Sequence, residues 1–102
     1  MAMGVVLQDE RGEIVERVLD LQDLLPRLLP DIGSEGYCFL NCIDRYGDTI
    51  FNRLQAPRFL SEWERVEARV GSAYERELCN SIRSLFEKVE ADMHLYVRFI
   101  GD

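Results

Sequence analysis

The amino-acid sequence predicts a single α+β domain over residues 1–102, in which helices pack on one face of a mainly antiparallel sheet of about five strands. Three observations predict this class. The length is that of one ordinary domain, and no linker rich in proline and glycine divides it. Hydrophobic residues make up 47% of the chain and charged residues 30%, which suits one core and a solvated surface. Strand-like and helix-like segments follow in the order ββαββααβ.

The first two strands are expected to form a β-hairpin. Residues 5–7 are apolar, residues 9–12 carry turn-forming side chains that end at Gly12, and residues 14–19 are again largely apolar. Two short strands on either side of such a turn are typical of a hairpin.

A short or broken helix is expected next. Asp20 is a suitable cap, and five leucines follow at helical spacing: Leu21, Leu24, Leu25, Leu28 and Leu29. Pro26 weakens the helix unless it lies in the first turn, and Pro30 ends it.

A second hairpin is predicted in the middle of the chain. Residues 37–43 alternate with apolar side chains on both faces, which indicates a central strand covered on both sides. Residues 44–48 are a strong turn signal, and residues 49–54 are expected to return as the next strand.

Two helices and a last strand complete the chain. Pro57 suits a first helical turn, apolar residues recur up to Val70, and Gly71 is a natural stop. Ser72 and Glu75 then have the spacing of a capping box, followed by an apolar stripe to Met93. Residues 95–100 alternate as a final strand.

The charge indicates which partners the protein is suited to bind. Twelve basic and 19 acidic residues give a net charge of −7, and the four Arg and ten Asp or Glu of residues 1–51 account for −6 of it. This balance argues against binding nucleic acid, which requires Lys and Arg to neutralise phosphates. An acidic half can steer a basic protein partner towards one side of the molecule, but ordinary solubilising charge is the simpler explanation. We expect a cytoplasmic protein with no membrane segment, because no signal peptide or long apolar stretch is present.

The densest group of polar side chains lies in the predicted second hairpin, over residues 44–55. Its candidate ligand- or partner-binding residues are Asp44, Tyr46, Asp48, Asn52 and Arg53. An Asx-turn is the simpler explanation for Asp44. Arg53 can hold a carboxylate in a bidentate pair, for which an internal partner is favoured over a ligand.

No catalytic or metal site is predicted, and no cofactor. The candidate zinc ligands are Cys38, Cys42, Cys79 and His94, but a strand would hold the first two thiols too far apart to bind one zinc ion. Phosphate-binding, dinucleotide-binding and hydrolase motifs are absent from the sequence. The sequence therefore favours a protein without catalytic activity over an enzyme.

Two segments carry a resemblance to known sequences. Tyr-Gly-Asp-Thr-x-Phe-Asn-Arg-Leu-Gln begins at Tyr46, and His-Leu-Tyr-x-x-Phe-Ile-Gly-Asp begins at His94. With them, the chain resembles a set of short bacterial proteins of unknown function. The resemblance implies a bacterial cytosolic origin and no particular activity.

The sequence therefore predicts a noncatalytic protein-interaction module. A narrower form of this hypothesis is an immunity or antitoxin-type protein that covers a basic toxin. The rival hypothesis is a small-molecule-binding protein or enzyme that uses residues 44–55. Under either hypothesis, a homodimer joined through the edge strand that ends at Ile100 is an option, because exposed strand edges pair readily.

Overall fold

The computed structural model describes residues 3–101 and confirms the α+β class. The sheet has four strands within these residues, not about five. The strands are β1 (Gly4–Asp9), β2 (Ile14–Val18), β3 (Asp48–Phe51) and β4 (Leu95–Ile100). The helices are α1 (Leu25–Leu28), α2 (Ala56–Glu67) and α3 (Ala73–Ala91). None of the helices in this part of the chain is long and apolar enough to cross a membrane.

The sheet is antiparallel throughout, in the order β2-β1-β4-β3. The last strand of the chain is therefore internal, since β4 pairs with β1 on one side and with β3 on the other. The expectation that the strand ending at Ile100 lies at an edge is wrong. The two edge strands are β2 and β3.

The first hairpin forms as predicted. The Asp9 carboxylate accepts hydrogen bonds from the backbone N–H groups of Arg11 (2.9 Å) and Glu13 (3.0 Å), which closes the turn between β1 and β2. Gly12 lies in this turn with φ +81°, a conformation that other residues rarely adopt. The pairing shifts by one residue between Leu7 and Gln8, so the start of β2 contains a bulge.

The first helix is short, as its prolines predict. The Asp20 carboxylate accepts hydrogen bonds from the N–H groups of Leu24 and Leu25, both at 2.8 Å. Pro26 lies in the first turn, where its missing N–H costs nothing, and α1 ends two residues before Pro30. Leu21 precedes the helix and is 88% exposed, so it is not part of the helical core face that its spacing predicted.

The predicted central strand over residues 37–43 does not form. The chain makes a single turn of 3-10 helix at Leu40–Cys42 instead, because a side chain of α2 takes up its backbone N–H groups. The Glu62 carboxylate accepts hydrogen bonds from Cys38 (3.0 Å), Phe39 (3.0 Å) and Leu40 (3.1 Å). With these donors bound to Glu62, the segment cannot join a strand ladder.

A second side chain of α2 holds the same segment. Arg65 donates a hydrogen bond to the Gly36 carbonyl, and its guanidinium lies 4.2 Å from the centre of the Tyr37 ring. The predicted second hairpin is therefore wrong. The strand that follows, β3, is shorter than the predicted 49–54 and pairs with β4.

The two long helices begin where the sequence predicts. Pro57 lies in the first turn of α2, which ends at Glu67 rather than continuing to Val70. Ser72 and Glu75 form the capping box of α3: the Ser72 hydroxyl accepts a hydrogen bond from the Glu75 N–H at 3.1 Å, and the Glu75 carboxylate accepts one from the Ser72 N–H at 3.2 Å. The Ser72 hydroxyl also donates to the Glu75 carboxylate at 2.8 Å, and this bond, followed by the one from the Ser72 N–H, lowers the pKa of Glu75.

The core lies between one face of the sheet and the helices. Alternate strand residues point into it, and they are Val5, Leu7, Phe51, Val97 and Phe99. The Phe59 ring of α2 stacks on Phe86 of α3 with centroids 3.8 Å apart, and Phe51 lies 5.3 Å from Phe59. The indole N–H of the fully buried Trp63 donates to the Cys79 carbonyl at 3.2 Å and so joins the two helices.

The Glu62 contact generates a stability prediction. In Glu62→Gln one acceptor oxygen becomes an amide NH2 that faces backbone donors, so at least one of the three N–H groups loses its acceptor. We expect a loss of about 1–3 kcal/mol in the free energy of unfolding, measured by urea denaturation. Glu64→Gln, an exposed position on the same helix, is the control, with an expected change within about 0.5 kcal/mol. Equal unfolding midpoints for the two variants would contradict the stabilising role assigned to the Glu62 hydrogen bonds.

Candidate binding groove and the segment of residues 44 to 55

The first polar residues of the segment build a turn. The Asp44 carboxylate accepts a hydrogen bond from the Tyr46 N–H at 2.8 Å, which is the expected Asx-turn. The Asp44 N–H donates to the Thr49 hydroxyl at 2.9 Å. The side chain of Tyr46 projects into solvent. Both the carboxylate and the backbone N–H of Asp44 therefore form hydrogen bonds within this turn.

The remaining candidate residues, Asp48, Asn52 and Arg53, lie in three different environments. Asp48 forms an ion pair with Arg98 across the β3–β4 pairing at 2.9 Å. Asn52 and Gln55 exchange hydrogen bonds, at 2.9 Å and 3.1 Å, directly before α2. Arg53 is exposed and has no carboxylate partner within residues 3–101, so the expected internal ion pair of Arg53 is not found there.

The segments that carry the bacterial resemblance lie against each other. β3 and β4 pair, and the Gly101 N–H donates to the Gly47 carbonyl at 2.7 Å. A Cβ atom at Gly101 would lie 2.4 Å from the Gly47 nitrogen, so only glycine fits this approach. Asp102, the last residue of the second segment, lies outside the described residues. Backbone packing therefore explains why position 101 of this chain is a glycine.

Within residues 3–101, two grooves show where the candidate residues of the 44–55 segment lie relative to concave surfaces. Neither of the two grooves described here is lined by Asp44, Tyr46, Asp48, Asn52 or Arg53. The smaller groove, about 470 Å³, lies beside α1 and includes Arg45. The Arg45 guanidinium already donates to the carbonyls of Pro26 (2.8 Å) and Pro30 (3.1 Å), which fixes the loop that follows α1.

The cysteines and the histidine are dispersed. Cys38 and Cys42 are exposed, whereas burial raises the pKa of the Cys79 thiol to about 11 and leaves it protonated at neutral pH. His94 is exposed and hydrogen-bonded to Glu10 at 3.0 Å, and this bond raises the pKa of His94. Within residues 3–101, no three side chains of His, Cys, Asp or Glu are close enough to bind one metal ion.

The larger groove lies between the edge strand β2 and the helix α3 and has a volume of about 850 Å³. We call it the β2–α3 groove. The strand and the chain after it, residues 16–22, form one wall. Five residues of α3 that recur at helical spacing form much of the other wall: Tyr74, Glu77, Leu78, Ser81 and Ser84.

Two of the side chains of α3 that line the groove are small. Leu78, Ile82 and Leu85 turn into the core and are buried. The neighbouring stripe carries Ser81 and Ser84 where larger side chains would close the gap to β2. This stripe could not be predicted from the sequence, because Ser81 and Ser84 line a groove only when α3 lies beside β2.

Large apolar side chains remain exposed around this groove. Leu19 is 72% exposed, Leu21 88% and Tyr74 63%, and all three line it. They lie in two parts of the chain that are about fifty residues apart, so the sequence alone does not group them. Exposed apolar residues that cluster around a concave surface are typical of an interaction site.

The charged groups of the groove are mainly carboxylates. Glu16 pairs with Lys88 of α3, and Asp20 accepts the first N–H groups of α1. Glu77 is exposed and has no ion-pair partner in the described part of the chain. Arg17 is the one basic residue of the lining, and its register with Val6 and Arg98 places it in the row that faces away from the helices.

A pair of neighbouring substitutions tests the structural role of residues 44–55. Asn52→Ala removes the side-chain acceptor before α2, and we expect a loss of about 1 kcal/mol in the free energy of unfolding. Arg53→Ala removes an exposed side chain, with an expected change within about 0.5 kcal/mol. Urea denaturation measures both. Asn52→Ala unfolding at the wild-type midpoint would mean that Asn52 does not stabilise the start of α2.

Comparisons of the chain with protein-family models, with curated proteins and with solved structures found no match. The similarity to short bacterial proteins therefore stays a prediction from the two sequence segments.

Proposed function

We propose that the protein is a noncatalytic interaction module that binds a protein partner at the β2–α3 groove. The observation that carries this proposal is the coincidence of a sheet edge with exposed apolar side chains. Leu19, Leu21 and Tyr74 surround the groove, and β2 forms one of its walls. Burial of these side chains against a partner would be favourable at about 25 cal/mol for each Å² of apolar surface.

The chemistry of the lining supports binding over catalysis. Its polar side chains are hydroxyls, amides, carboxylates and one guanidinium, and neither a histidine nor a cysteine is among them. A hydroxyl nucleophile needs an adjacent base that is itself oriented by a third group. Ser81 and Ser84 have no hydrogen-bonded carboxylate of this kind in the part of the chain that the structure describes.

The charge of the protein supports a basic partner. Glu16, Asp20 and Glu77 line the groove, and the whole chain carries a net charge of −7. Such a surface speeds encounter with a positively charged protein, and salt weakens the effect. An immunity or antitoxin-type protein that covers a basic toxin is the narrower form of this proposal.

Matched leucine substitutions test where the partner binds. Leu21 at the groove and Leu54 in the 44–55 segment are 88% and 78% exposed, so Leu21→Ser and Leu54→Ser should both leave the fold intact. Tagged wild-type protein first captures its partner from native lysate at low salt. The purified partner is then titrated calorimetrically with each variant.

We expect Leu21→Ser to weaken binding by about tenfold or more, as loss of a buried apolar anchor does, and Leu54→Ser to bind like wild type. Loss of binding in Leu54→Ser alone would move the site to residues 44–55. Absence of any partner at either low or high salt would contradict the proposal.

A further inference from the structure

We infer that the partner contributes an extended segment, rich in apolar and basic residues, that pairs with β2 as a fifth strand of the sheet. Alternate side chains of this segment would enter the β2–α3 groove. The inference rests on the function proposed above and adds the conformation and chemistry of the bound segment. Addition of a strand to an open sheet edge is a general mode of peptide recognition.

The edge of β2 is free to pair. β2 pairs with β1 only, and it has no neighbour on its other side within residues 3–101. The bulge lies at the Ile14 end, so the regular part of the edge is Glu16–Val18. These are the residues of the strand that line the groove.

α3 lies beside β2 and forms a groove with it. Val18 packs against the core, while Glu77, Ser81 and Ser84 of α3 line the groove together with residues of β2. A fifth strand beside β2 would lie about 4.8 Å from it. We expect one face of that strand to fill part of the groove.

The dimensions of the groove suit a short strand. The wall of α3 runs from Tyr74 to Ser84, a distance of about 15 Å at the helical rise of 1.5 Å per residue. An extended chain covers this distance with about five residues, of which two or three point to one face. Leu19, Leu21 and Tyr74 offer apolar contacts to those side chains.

The carboxylates select a basic segment over a second copy of this chain. α3 presents the exposed Glu77 to the groove, whereas the Glu16 carboxylate of β2 already pairs with Lys88, eleven residues further along α3. A second copy of this chain would bring a further net charge of −7 to the groove. Lys or Arg in a foreign strand would instead meet Glu77, which has no ion-pair partner within residues 3–101.

The probe for this inference is a capped octapeptide of alternating Lys and Val, and an alternating Glu and Val peptide is the charge control. Two further Lys-Val peptides are N-methylated on every Lys or on every Val, so each has one edge that cannot pair. Binding to the intact, isotope-labelled protein is followed by amide chemical shifts, and amide exchange of β2 is measured with and without peptide.

Strand addition requires that only one edge of the peptide faces β2. We therefore expect the Lys-Val peptide to bind more weakly at high salt, the Glu-Val peptide not to bind, and only one N-methylated peptide to lose binding. The exposed amides of β2 should exchange about tenfold more slowly in the complex. Ser84→Arg fills the groove and should abolish binding, whereas Ser61→Arg, an exposed position on α2, should not.

Equal binding of both N-methylated peptides, equal binding of the Glu-Val peptide, or no binding of the Lys-Val peptide would overturn the inference. If the captured partner still depended on Leu21, the proposed function would stand and strand addition alone would be wrong. If no partner were captured, the proposed function would fail whatever the peptides did.

Discussion

The pairing of β4 with two neighbours is the constraint on which the rest of the structure depends. This strand comes last in the chain, yet it lies inside the sheet between β1 and β3. α3 ends at Ala91, and a short turn leads directly into β4. The helix must therefore run back across the sheet that β4 joins. As a result β2 is left at the edge, and α3 forms the second wall of the groove beside it.

The buried carboxylate of Glu62 imposes a second constraint, on the middle of the chain. It is 9% exposed and takes up three consecutive N–H groups of the segment that approaches β3. Arg65 fixes the same segment one helical turn away. This segment then covers the β3 side of the core, where Phe39 contacts Phe51 with ring centroids 6.1 Å apart. No comparable segment within residues 3–101 covers the β2 side, and Leu19, Leu21 and Tyr74 stay exposed there.

Local signals in the sequence were sufficient for most elements. These elements could be predicted because each depends on residues that are close together in the sequence. They are the turn at Gly12, the helix starts at the prolines of α1 and α2, the Ser72–Glu75 capping box and the alternation of the last strand. The 37–43 segment could not, because its alternation fits a strand and only Glu62, more than twenty positions later, takes its donors. The Asn52–Gln55 exchange has the spacing of a helix-start signal and was recognisable in principle. The β2–α3 groove could not be recognised from the sequence, because it depends on which face of α3 lies against β2.

Hydrogen exchange of the backbone amides in the free protein tests the central claim, a free β2 edge beside a doubly paired β4. We expect the amides of residues 97–100 in β4 to be protected, because β1 pairs with this part of the strand on one side and β3 on the other. Along β2, roughly every second amide should exchange quickly, because it points away from β1. Uniform protection of β2 at the level of β4 would contradict the account, since the edge would then already be covered.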